Sequence, residues 1–200
     1  MKNLILFFLM VLPLAWVSSQ NELVIVDHEL TISGTSTLKA WTMKVEKLDI
    51  MGQVIRENEA LSGFRNVVVT VEVASIKSKN SEEMDNNTFE ALKGDEYPEI
   101  RFALADDATV FNQTSDLFMT ICQGEIAVAG VSKTISFQAQ GRWKGPDQMT
   151  LKGSTEFNMK DFGVEPPTFL LGVNRTGDTV KVDLALTVSV VQADEPVGKN

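Results

Sequence analysis

Long stretches of this chain alternate apolar and polar residues with a period of two, the pattern of strands that bury one face. Val67, Val69, Val71 and Val73 interleave with Val68, Thr70, Glu72 and Ala74, and Ile100, Phe102 and Leu104 with Glu99, Arg101 and Ala103. Further on, Ile135, Phe137 and Ala139 oppose Thr134, Ser136, Gln138 and Gln140. Met149, Leu151, Thr155, Phe157 and Met159 alternate with Thr150, Lys152, Ser154, Glu156, Asn158 and Lys160. The last run sets Val180, Val182, Leu184, Leu186, Val188 and Val190 against Thr179, Lys181, Asp183, Ala185, Thr187 and Ser189. One face of each run is dry and the other wet.

The breaks between runs carry turn residues: Gly130, Gly145-Pro146-Asp147 and Gly177-Asp178. Connections this short imply antiparallel neighbours, because a parallel pair needs a crossover of about a dozen residues. Roughly eight such strands close into a barrel or stack as a sandwich. Closure removes exposed edges, and several runs are long, which favours an all-β, antiparallel barrel.

One helix interrupts the alternation. Asn80 followed by Glu83 reads as a capping box, and Met84, Thr88, Ala91 and Leu92 fall on one face. Lys93 lies in the last turn and Gly94 ends it. Such a helix closes one end of a barrel. The segment Asp161–Gly172 is too apolar for a solvated loop. Its five large apolar side chains either cap the barrel or form the lip of a ligand cavity.

The chain has 200 residues and a formal net charge of -9. That suits one domain, and its negative charge disfavours nucleic acid and anionic membrane surfaces. Lys2, the apolar run Leu4–Val17 and the small residues Val17-Ser18-Ser19 read as a cleaved signal peptide over residues 1–19. A single domain over 20–192 and a flexible tail over 193–200 follow. The apolar run is too short for a stable membrane anchor, which needs about 20 residues.

Catalytic chemistry is sparse in the inventory. His28 is the only histidine, Tyr97 the only tyrosine and Cys122 the only cysteine. No nucleophile elbow stands near His28, and one His with one Cys cannot make a zinc site. Cys122 sits in a β-run, where a buried thiol acts as a small hydrophobe. His28, beside Asp27, reads as a structural hydrogen-bonder. No enzyme activity, metal or cofactor is expected.

Several segments together resemble the YceI-like family of exported bacterial proteins. They are Ser33-Gly34-Thr35-Ser36-Thr37-Leu38 with Trp41-Thr42-Met43, and Phe89-Glu90-Ala91-Leu92-Lys93 with Tyr97-Pro98-Glu99-Ile100-Arg101-Phe102. Gly124-Glu125-Ile126 through Gly130-Val131-Ser132-Lys133, and Lys160-Asp161-Phe162-Gly163, complete the set. The resemblance runs from about residue 22 to 190. It implies an eight-stranded barrel with a helix near one end, periplasmic or secreted, holding a polyprenyl lipid or isoprenoid quinone in some members. Where relatives often carry a His-Asp-type pair, this chain has Lys39-Ala40, which removes a polar contact near Trp41.

Large inward residues mix with small ones (Ala139, Gly141, Gly153), so the barrel either interdigitates into a solid core or leaves a tunnel. If it holds a ligand, the expected wall is Trp41, Met43, Val69, Val71, Phe102, Phe137, Phe157 and Phe162. A phosphate-bearing ligand requires a cation at the mouth, for which Lys39, Lys160 and Arg175 are the candidates. The expected partner is thus a hydrophobic small molecule, the protein itself being a monomer or homodimer. The competing reading is a filled barrel with a structural or protein-interaction role.

Overall fold

The computed structural model describes residues 21–58, 60–169 and 174–192. The expected leader, the tail and the apolar residues 170–172 lie outside the described residues. Along the chain run β1 (Asn21–Ser36), β2 (Trp41–Val45), β3 (Leu48–Glu57), β4 (Ala60–Glu72), β5 (Ile76–Ser78) and the helix α1 (Glu82–Ala91). Then come β6 (Glu99–Leu104), β7 (Ala108–Phe111), β8 (Leu117–Val128), β9 (Val131–Trp143), β10 (Gln148–Asn158), β11 (Thr168–Phe169) and β12 (Asn174–Gln192).

Every strand pair is antiparallel, and the ring β1-β3-β4-β6-β8-β9-β10-β12 closes where β12 pairs with β1. The fold is a closed eight-stranded barrel, as the alternation predicts. Three of the eight staves are broken in two. β2 continues into β3 against β1, β5 continues β4, and β6 and β7 both lie between β4 and β8. At the corner shared by the first two, the Ser75 hydroxyl donates to Glu72 O at 2.7 Å and Lys47 O at 3.2 Å. The Glu46 amide donates to Ser75 O at 3.0 Å, so the buried kink keeps its polar groups paired.

The inward positions of β10 and β12 are those the pattern names. β8 and β9 meet at Ala129 (φ 49°) and Gly130 (φ 83°), two left-handed residues in succession, as a twisted two-residue hairpin demands. Gly177-Asp178 is not a turn. It lies inside β12, where the register slips between Gly34/Val180 and Ser36/Thr176, and the strand bulges past β1. A period-based reading cannot tell a bulge from a turn when both use Gly-Asp.

The helix ends also differ from expectation. Ser81, not Asn80, is the N-cap, its hydroxyl accepting from Met84 N at 3.1 Å. Ser78 sets this register: its hydroxyl donates to Ser81 O at 2.8 Å and accepts from Ser81 N at 3.0 Å. At the other end Lys93, not Gly94, takes the left-handed conformation (φ 54°). Gly94 is needed for a different reason, since the Phe89 ring fills the place of a Cβ there.

Candidate functional site

The barrel's two halves are built differently. At the end formed by the start of β8 and β10 and the end of β9 and β12, aromatic and aliphatic side chains meet across the axis. Phe118, Met149 and Val188 there are 0% exposed, and Leu61, Phe64 and Val190 are buried with them. Phe64 and Phe118 have ring centroids 6.0 Å apart, Phe118 and Trp143 6.4 Å. The Arg56 guanidinium lies 5.6 Å from the Trp143 ring and shields it from outside. This half is a solid floor.

The other half encloses a cavity of about 610 Å³. Its size falls in the range of small-molecule sites, about 300–1,000 Å³. All eight residues expected in the wall, Trp41, Met43, Val69, Val71, Phe102, Phe137, Phe157 and Phe162, border it. Phe102 and Phe137 pack with centroids 5.5 Å apart, while Phe157 and Phe162 meet edge to face at 5.8 Å. Phe162 and Val164 from the 161–169 segment are buried against Ala129 beside α1. Two of the five apolar side chains of that segment therefore line the cavity. The side chain of Phe169, and Leu170 and Leu171 entirely, fall outside what is described.

Sequence reasoning missed several wall residues. Leu30 and Ile32 of β1 border the cavity, but the slip at Val26 breaks that strand's alternation. Met84 of α1 and Leu92 at its C-cap border it as well, and their helical spacing was the available sign. Cys122 borders it too, and burial pushes its thiol pKa up to about 11. A thiol kept protonated at neutral pH is a weak nucleophile. His28 is half-buried on β1, its own amide bonded to Asp27 Oδ1 at 2.9 Å, and does not line the cavity.

The interior offers little polar chemistry. Thr120 Oγ1 donates to Thr109 O at 2.9 Å and Thr88 Oγ1 donates to Met43 Sδ at 3.2 Å. Among the described residues no buried side-chain nitrogen or oxygen lacks a hydrogen-bond partner. The lining is mostly apolar, with few polar side chains among the described residues to meet a ligand atom.

Exposed wall residues mark the mouth. Lys39 in the β1–β2 loop and Ser81 and Glu83 at the start of α1 border the cavity and reach solvent. Lys160 and Arg175 do not border it. The Lys160 amide is tied to Asp178 Oδ1 at 3.0 Å, and the Arg175 amide to Thr37 Oγ1 at 3.1 Å. Of the three candidate cations, the structure brings Lys39 to the rim, together with one carboxylate, Glu83.

A closed antiparallel barrel with a deep apolar cavity under a short helix defines the class of hydrophobic ligand-binding barrels with lipocalin-like architecture. The YceI-like domain matches residues 17–188, and the chain belongs to that family. Two solved structures share its fold at low identity. Burkholderia cenocepacia BcnA is 13% identical, with TM-score 0.62 over 80% of this chain and 95% of that one. A polyisoprenoid-binding domain from Saccharophagus degradans, implicated in plant cell wall breakdown, is 11% identical, with TM-score 0.65 over 87% of this chain and all (100%) of that one. No curated protein matches the sequence.

Proposed function

We propose that this protein is an exported carrier that holds a hydrophobic, isoprenoid-like lipid or quinone inside its barrel, for storage or transport, and catalyses no reaction. The observation that carries this reading is the apolar cavity of about 610 Å³ with a solid floor and a mouth beside α1. Burial of apolar ligand surface contributes about 25 cal/mol per Å², so such a site binds tightly with almost no polar contact. Family membership and the polyisoprenoid-binding neighbour support the ligand class. The expected signal peptide over residues 1–19 supports export to the periplasm or beyond. Trp41, Met43, Val69, Val71, Phe102, Phe137, Phe157 and Phe162 would contact the ligand, and Lys39 would meet a phosphate if the head group carries one.

Thermal unfolding with and without an added isoprenoid tests the reading. Ligand at about a hundredfold its dissociation constant stabilises the native state by about 2.7 kcal/mol. For a domain of this size that raises Tm by about 5–10 °C. A melting temperature unmoved by polyprenyl alcohols and quinones alike would instead favour a barrel with a structural or protein-interaction role.

A further inference from the structure

We infer that the cavity takes only a short isoprenoid chain, about four isoprene units, and that any longer chain must leave its remainder outside the barrel. This rests on the ligand reading above and narrows it. Two measures of the cavity agree on the length.

The first is volume. A carbon with its hydrogens takes about the share of a liquid water, about 30 Å³, so about 610 Å³ holds about twenty carbons. The second is depth. The wall runs from Leu151 on β10 to Met159, the residue just past that strand's end, eight residues apart. Eight residues advance about 26 Å along a strand, or about 20 Å along the axis at barrel tilt. Extended chain advances about 3.6 Å per three bonds, so the four chain bonds of an isoprene unit advance about 5 Å. About four units fill that depth in single file.

The floor prevents a longer reach. Past Leu151 the next inward residue of β10 is Met149, fully buried and packed with Phe118 and Val188. Gly141 gives the Phe118 ring room against the neighbouring strand, and Phe118, Met149 and Val188, all fully buried, fill that end of the barrel. Ala139, paired with Gly153 across β9 and β10, is the small inward residue next above that floor.

Competition binding with a series of isoprenoid alcohols of two, three, four, six and nine units tests the inference. Native mass spectrometry of the intact protein with equimolar mixtures reads their relative occupancy. Affinity is expected to rise at least about tenfold with each unit up to four, since each adds about five buried carbons. From four to nine units it should change less than about threefold. Ala139→Leu adds bulk at the deep end and should move the plateau from four units to three. Affinity that keeps rising steeply through nine units would overturn the chain-length inference while leaving the carrier reading intact. Failure of every alcohol, together with quinones, to bind would remove the carrier reading, and this inference with it.

Discussion

The ring of Phe118 lies on the Cα of Gly141, its register partner on the neighbouring strand, in the place where any other residue would put its Cβ. That contact seats the ring between Phe64 and Trp143, tilted against both. Gly141→Ala should therefore overpack the floor and cost about 1–3 kcal/mol, measured by urea unfolding. A stability equal to wild type would mean the floor is looser than described.

Two phenylalanines with the same strand pattern should behave differently. Phe118 is fully enclosed, whereas Phe137 already faces open space on one side. Phe118→Ala should cost about 3–5 kcal/mol. Phe137→Ala forfeits fewer contacts, because part of its surface has no partner to lose, and should cost at most about 2 kcal/mol. Equal losses would indicate that the cavity collapses around Phe137.

That pair also marks how far the sequence can be read. Alternation names the inward faces of β4, β6, β9, β10 and β12, and with them Val69, Val71, Phe102, Phe137 and Phe157 of the wall, because burial of one face dictates a period of two. It says nothing about which inward residues fill the axis and which leave it open. Phe118 and Phe137 look alike until the partner across the strand pair is known. The same holds at the rim. Lys39, Lys160 and Arg175 are all polar positions near turns, and only three-dimensional placement separates Lys39 from the other two. The bulge at Gly177-Asp178 depends on pairing between distant strands, so local chemistry reads it as a turn.

Trp41 borders the cavity with its indole Nε1 donating to Thr35 O at 3.1 Å, while Trp143 lies in the floor under Arg56. Ligand binding should change the fluorescence of Trp41 alone. The change should persist in Trp143→Phe and vanish in Trp41→Phe. A signal that follows Trp143 would place the ligand elsewhere.

Cys122 gives a pH dependence with a definite sign. The folded state keeps the thiol protonated up to about pH 11, whereas an unperturbed thiol loses its proton near 9.0. Between those values the unfolded chain binds fewer protons, so stability falls as pH rises, and below pH 9 the thiol contributes no slope. Two pH units correspond to about 2–3 kcal/mol at most. Urea unfolding of wild type and Cys122→Ala at pH 8 to 11 should show this extra loss only in wild type. Iodoacetamide should modify Cys122 slowly at pH 7.5, and more slowly still when the barrel is loaded.

The most direct measurement of the central claim is native mass spectrometry of protein purified from the cells that make it, followed by organic extraction and lipid analysis. One apolar adduct per chain, released by extraction as a polyprenyl lipid or isoprenoid quinone, is the result predicted. A bare protein mass, with no adduct regained on incubation with isoprenoids, would contradict it.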